Sequence, residues 1–264
     1  MEGSYTLDKE NRNALKSTYM RNPLLPKMLV EFLGTFALVL AVTINTRTAS
    51  SEQNALAPLT VGITLWLAIV IGGHISGGHY NPAVTFSFFL RGIMSLREIL
   101  AYWFAQLCGG FCAGGVAYSI MSHHLAPLAV NPDFPLYAGY IAEMVWTFFL
   151  VLMVNCISDP KYQQKTDDIM KFFAVGMVIF FGASSIGNVS GAALNPAVGT
   201  CSNLTGYAIH KDSSVLKSIG IYWAGPLSGS ILAALVFTMV IKPNYEILDE
   251  KQMKEKDYAI NSPQ

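Results

Sequence analysis

Charge is what this sequence has least of. Charged residues make up 13% of its 264 positions, about half the share of a typical soluble domain. The 17 basic residues balance the 17 acidic ones, so there is no global field to draw in nucleic acid or an acidic partner. With 52% hydrophobic residues and a mean hydropathy of +0.41, the chain is too apolar for a water-soluble domain of this size and belongs in a lipid bilayer. Cysteine is scarce as well. Cys108, Cys112, Cys156 and Cys201 sit inside apolar stretches without a C-x-x-C spacing, so neither a disulfide framework nor a zinc site follows. Cys108 and Cys112 share a helix face and read as small packing residues. No clustered nucleophile, base or metal-ligand set occurs in the apolar segments, and we expect no metal, no cofactor and no enzymatic activity.

What is there in abundance is long apolar runs. A bilayer core needs about 20 apolar residues per helix, and six segments qualify: 28–46, 55–75, 98–121, 138–157, 170–188 and 215–241. The first lies behind a tail carrying Lys9, Arg12, Lys16, Arg21 and Lys27 and lacks a small-residue cleavage pattern, so it reads as a retained span. Two further apolar stretches, starting at Tyr80 and Leu194, are only about 10 residues long, half what a crossing requires. Each opens on Asn-Pro-Ala, and both are expected to be re-entrant. Six crossings put both tails on one side. Only Arg47, Lys211 and Lys217 fall on the other side, against the remaining 14 of 17 basic residues, which predicts cytoplasmic termini. The segment 122–136, without Lys or Arg, then becomes an outer loop.

Comparing the two halves is more informative still. Glu31-Phe-Leu-Gly-Thr35-Phe36 returns as Glu143-Met-Val-Trp-Thr147-Phe148, 112 residues later. Asn81-Pro82-Ala83-Val84 returns as Asn195-Pro196-Ala197-Val198, 114 residues later, and Tyr102-Trp103 returns as Tyr222-Trp223, 120 residues later. Each half holds three spans and one short segment. Three is odd, so the second copy must cross the membrane upside down. Such an inverted repeat places a site or pore near the bilayer midplane. The expected fold is an all-α membrane protein of six transmembrane helices and two re-entrant half-helices. It divides into a tail at 1–27, a channel-like domain at 28–241 (repeat one about 28–121, repeat two about 138–241) and a tail at 242–264.

On the paired Asn-Pro-Ala triplets, together with His74-Ile-Ser-Gly-Gly-His79-Tyr-Asn81 and Tyr222-Trp223-Ala224-Gly225-Pro226, the sequence resembles the major intrinsic protein family of aquaporins and aquaglyceroporins, in flavour nearest the vacuolar-membrane plant branch. Asn81 and Asn195 read as N-caps of half-helices starting at Pro82 and Pro196, since proline suits the first helical position. Their N-termini would bring partial positive charge to mid-membrane, and their amides would donate to passing water, opposing protons and cations. Glu31 and Glu143 sit in apolar spans, where an ionisable group needs partners; the resemblance implies that they accept backbone N–H bonds from the re-entrant loops. His79 reads as a further brace of the loop. His74 is either brace or packing. Gly110 with Gly114, and Gly225 with Gly229, have the spacing of close helix crossings. The resemblance also implies a homotetramer with one pore per subunit, in contact with lipid, water and small neutral solutes.

Four positions carry over as the family's outer filter: Val61, Ala183, Ala192 and Val198. All are small and apolar. Relatives keep an arginine, often followed by aspartate, where this chain has Val198-Gly199. The expectation is a wide filter passing water and solutes such as glycerol, urea or ammonia. One alternative is a strictly water-selective channel whose mouth is narrowed by loop 122–136, with His123 and His124; another is a junctional membrane protein with a vestigial pore. An ion-coupled transporter would need Asp, Lys or Arg at the midplane, and away from their ends the spans supply only the two glutamates. The sequons at Asn188 and Asn203 fall in pore-forming segments. Ser17, Thr18, Ser262 and the charged loop from Asp159 to Lys171 read as solvated surface.

Overall fold

The computed structural model describes residues 23–46, 55–159 and 167–245. Ser17, Thr18, Ser262, Arg47, most of the charged loop after Asp159 and the His123 side chain lie outside what it describes. The chain forms helices α1 (Leu24–Asn45), α2 (Ala57–Ser76), α3 (Pro82–Leu90), α4 (Leu96–Met121), α5 (Leu136–Ile157), α6 (Asp168–Ser190), α7 (Pro196–His210) and α8 (Lys217–Val236). A π-helical turn, Phe237–Ile241, continues α8. Six helices are long and apolar enough to cross a membrane; α3 and α7 are the two short ones.

Local chemistry sets the helix ends. Ser95 and Glu98 close a capping box at the start of α4, each accepting the other's backbone N–H. Asp167 caps α6 by accepting from the amides of Ile169 and Met170. That start, and Leu24 for α1, lie earlier than the apolar runs suggest, because capping residues and a buried Lys27 extend a helix past the point where hydropathy falls. The half-helices are unequal, 9 residues for α3 and 15 for α7. The expected length of about 10 fails for α7 because Ser202, Asn203 and Thr205 interrupt its apolar run without interrupting the helix.

Helices of one repeat pack as close pairs that cross in the same direction, α1 with α4 and α5 with α8. A Cβ on Gly109 of α4 would strike the Phe32 carbonyl of α1, and one on Gly229 of α8 would strike the Met144 carbonyl of α5. The same crossing thus occurs once per repeat. Gly225 also lies against α5, while Gly110 and Gly114 receive Cys201 and Thr205 of α7. The repeats meet where α2 and α6 cross; a Cβ on Gly62 would stand 2.5 Å from the Gly176 carbonyl oxygen, and one on Gly176 equally close to that of Gly62. Outward faces stay apolar, with Ile71, Phe104, Leu136 and Met239 more than half exposed, as a surface solvated by lipid requires. The ends of the described chain share one face, the terminal face; the C-terminal ends of α1, α4 and α7 lie on the opposite, distal face, where the Ala126 amide donates to the Thr46 carbonyl and His210 meets Leu125.

Candidate functional site

At the centre of the fold the two Asn-Pro-Ala triplets face each other. Pro82 and Pro196 open their helices, and the preceding asparagines cap them: Asn81 Oδ1 accepts from the Ala83 amide at 2.9 Å, and Asn195 Oδ1 from the Ala197 amide at 2.9 Å. The other end of each carboxamide crosses between repeats. Asn81 Nδ2 donates to the Leu194 carbonyl and Asn195 Nδ2 to the Tyr80 carbonyl, both at 2.8 Å. An NH2 group has two hydrogens, so one locks the repeats together and the second remains for the lumen. Expecting the whole amide to serve passing water omitted this crosslink.

The carbonyl each asparagine reaches belongs to a residue in left-handed backbone, Tyr80 at φ 48° and Leu194 at φ 49°. Such geometry is costly for a side chain bulkier than glycine, and two buried carboxylates enforce it. Glu31 accepts from Ser76 Oγ (2.7 Å) and the amides of His79 (2.9 Å) and Tyr80 (2.7 Å), plus Gln106 Nε2 (2.8 Å). Glu143 accepts from Ser190 Oγ (2.7 Å) and the amides of Ala193 (2.9 Å) and Leu194 (2.6 Å). Neither glutamate has any exposed surface, and charge-assisted bonds of this kind offset the loss of water. Tyr102 and Tyr222 donate to the carbonyls of Ser76 and Ser190, at 2.7 and 2.6 Å. The two serines, Gln106 and the tyrosine hydroxyls went unread in the sequence. Ser76 and Ser190 were findable, since each precedes a glycine at the same 114-residue shift. His79 places Nδ1 3.1 Å from Thr85 Oγ1 and its ring 4.4 Å from that of Phe88, while His74 is exposed on the last turn of α2.

A cavity of about 570 Å³ runs between the repeats. Asn45 and Asn188 line its distal mouth, Val61, Ala183, Ala192 and Val198 come next, then Asn81, Asn195 and His79, and finally Val154 and Val175 towards the terminal face. Among the described residues, no Lys, Arg, Asp or Glu lines it. The loop before α5 does fold over the mouth, but with Ala126, Pro127, Leu128 and Ala129. His124 points to the exterior instead. This loop is pinned along its length: His210 Nε2 lies 2.7 Å from the Leu125 carbonyl, the Asn131 amide donates to the Val189 carbonyl (2.9 Å), and Asn131 Nδ2 donates to that of Asn188 (3.0 Å). The arrangement presents two carboxamides and two positive helix ends at the middle of an otherwise largely apolar passage.

Comparison with known proteins agrees. Residues 18–237 match the model of the family described as major intrinsic protein. The aquaporin TIP1-2 of Zea mays is 36% identical over 194 residues, 70% of each chain. The aquaporin TIP1-1 of Arabidopsis thaliana is 34% identical over 226 residues, 79% of this chain and 84% of the relative. The fold is similar to the X-ray structure of the aquaglyceroporin from Plasmodium falciparum, with a TM-score of 0.75 at 24% identity, over 85% of this chain and 100% of that one. The chain belongs to the major intrinsic protein family, as a multi-pass integral membrane channel and not an enzyme.

Proposed function

We propose that this channel passes water together with small uncharged solutes such as glycerol, urea and ammonia, each down its own gradient. The observation that carries this reading is the ring of Val61, Ala183, Ala192 and Val198 around a continuous cavity, without a charged side chain among the described residues that line it. A filter of two valines and two alanines presents no fixed cation and no ring to a solute. Polar contact there comes from backbone, where positive φ at Gly191 and Ala192 keeps the carbonyls of 191–193 out of a helical ladder. Ion rejection rests on the N-termini of α3 and α7, each carrying roughly half a positive charge. The test is stopped-flow light scattering on vesicles holding purified protein, with water, glycerol, urea and ammonia side by side. Uptake of glycerol and urea above protein-free vesicles is expected; water flux alone would defeat the wide-filter reading.

That opposite result is what the second reading requires. Leu128 is buried at the mouth, and if it narrows the entrance enough, the channel is strictly water-selective; Leu128→Ala would then open it to glycerol. We further propose a homotetramer with both termini in the cytoplasm, supported by the outward apolar faces and by the distribution of basic residues.

A further inference from the structure

Ser202 and Asn203 are consecutive residues on α7, and three of their side-chain atoms are buried with no partner among the described residues: the serine hydroxyl and both ends of the carboxamide. Their exposures are 1% and 0%. Folded proteins rarely leave such groups dry; where protein does not supply the partner, ordered water does, provided there is room.

The internal repeat indicates where the room comes from. At the 114-residue shift, Ser202 corresponds to Phe88 and Ala193 to His79. In the first repeat these two rings pack 4.4 Å apart, and His79 lies 5.3 Å from the ring of Tyr102. In the second repeat a methyl group and a hydroxyl stand in their place. Tyr222, the counterpart of Tyr102, lies tightly against Gly199, where a Cβ would overlap its ring. That contact takes up part of the missing volume on the α8 side, and the polar groups that find no protein partner lie on the Ser202 side. The borders follow from helical spacing. Val198, one turn before Ser202, lines the channel cavity, and Gly206, one turn after it, touches Pro127 of the mouth loop. Asn203 lies one turn beyond Gly199 and so faces the junction of α7, α8 and that loop. Neither Ser202 nor Asn203 lines the channel.

We propose that α7 and the mouth loop enclose a hydration site, separate from the permeation path, in which ordered water is held by the Ser202 hydroxyl and the Asn203 carboxamide. A hydroxyl, an amide NH2 and an amide oxygen supply both donors and acceptors without charge, which suits water and neither a cation nor an anion. The bound water bridges α7 to the loop that roofs the filter. This site does not depend on which solutes permeate.

The direct test is a structure of the full chain in lipid nanodiscs at a resolution that shows water. Density within hydrogen-bonding distance of Ser202 Oγ and the Asn203 carboxamide is expected; an empty space, or an amide turned onto protein groups, overturns the proposal. A solution test uses Asn203→Leu, which keeps the volume and removes the polar atoms. A hydrated site predicts a lower Tm, because the bridge is lost and Ser202 is stranded. A higher Tm would mean that the amide had been dry, and would overturn the idea. Water permeability per channel should stay within about twofold, and a several-fold loss would place Asn203 in the conduit and equally overturn it.

Discussion

Two buried carboxylates with no counter-ion among the described residues hold the pore loops in left-handed backbone, so they are the residues to probe first. Glu31 accepts four hydrogen bonds and Glu143 three. In Glu143→Gln one oxygen becomes an NH2 facing an N–H or O–H donor, which strands that donor at a cost of about 1–3 kcal/mol. A lower Tm in detergent and reduced water flux are expected, and an unchanged Tm would remove the glutamate from its supporting role. At the filter, Val198→Arg introduces a fixed cation and bulk. Glycerol and urea permeability should fall at least about tenfold, the equivalent of about 1.4 kcal/mol in barrier, while water flux persists. Cys201 gives a contrasting case. It is fully buried, packs on Gly110 and directs its thiol towards the Leu107 carbonyl, while the pore-lining position three before Asn195 is Ala192. Mercurial block is therefore expected to be slow and weak; fast, complete block abolished by Cys201→Ser would contradict this placement.

Among whole elements, close helix crossings are what the glycines provide. Gly229→Ala sets a methyl group against the Met144 carbonyl and should cost about 1–3 kcal/mol through overpacking. Gly115→Ala, where nothing lies within 4 Å, should be neutral or gain up to about 1 kcal/mol from helix propensity. Equal Tm values for the two variants would mean that the α5–α8 approach is not tight. The half-helices show how far elements can be read from residues. Their starts were legible because Asn-Pro at a helix N-terminus has a local cause. The end of α7 was not, since a helix packed on three sides tolerates Ser202 and Asn203 where an apolar count stops. The carboxamide crosslink between the loops was illegible for a related reason: Leu194 and Tyr80 contribute only carbonyls, and any residue type has one.

For the molecule as a whole, an even number of crossings puts both ends on one face, and the proposal that this face is cytoplasmic rests on its excess of basic residues. Tags at the two termini should become accessible to antibody together, only after the cytoplasmic side is opened; accessibility of one without the other would break the six-span topology. Cross-linking in membranes should yield species of up to four copies if the outward apolar faces associate as proposed. The sequence by itself determined the spans, the inverted repeat, the paired caps and the membership of a channel family, because hydropathy, helix capping and a fixed shift between like residues act locally or repeat. Tertiary structure alone decided that one amide hydrogen of each asparagine is spent on the opposite repeat, that apolar Ala126–Ala129 line the mouth while His124 lies outside it, and that Ser202 and Asn203 are enclosed. These depend on which backbone groups come within hydrogen-bonding distance once two half-helices meet, and residues over a hundred positions apart encode that distance only jointly.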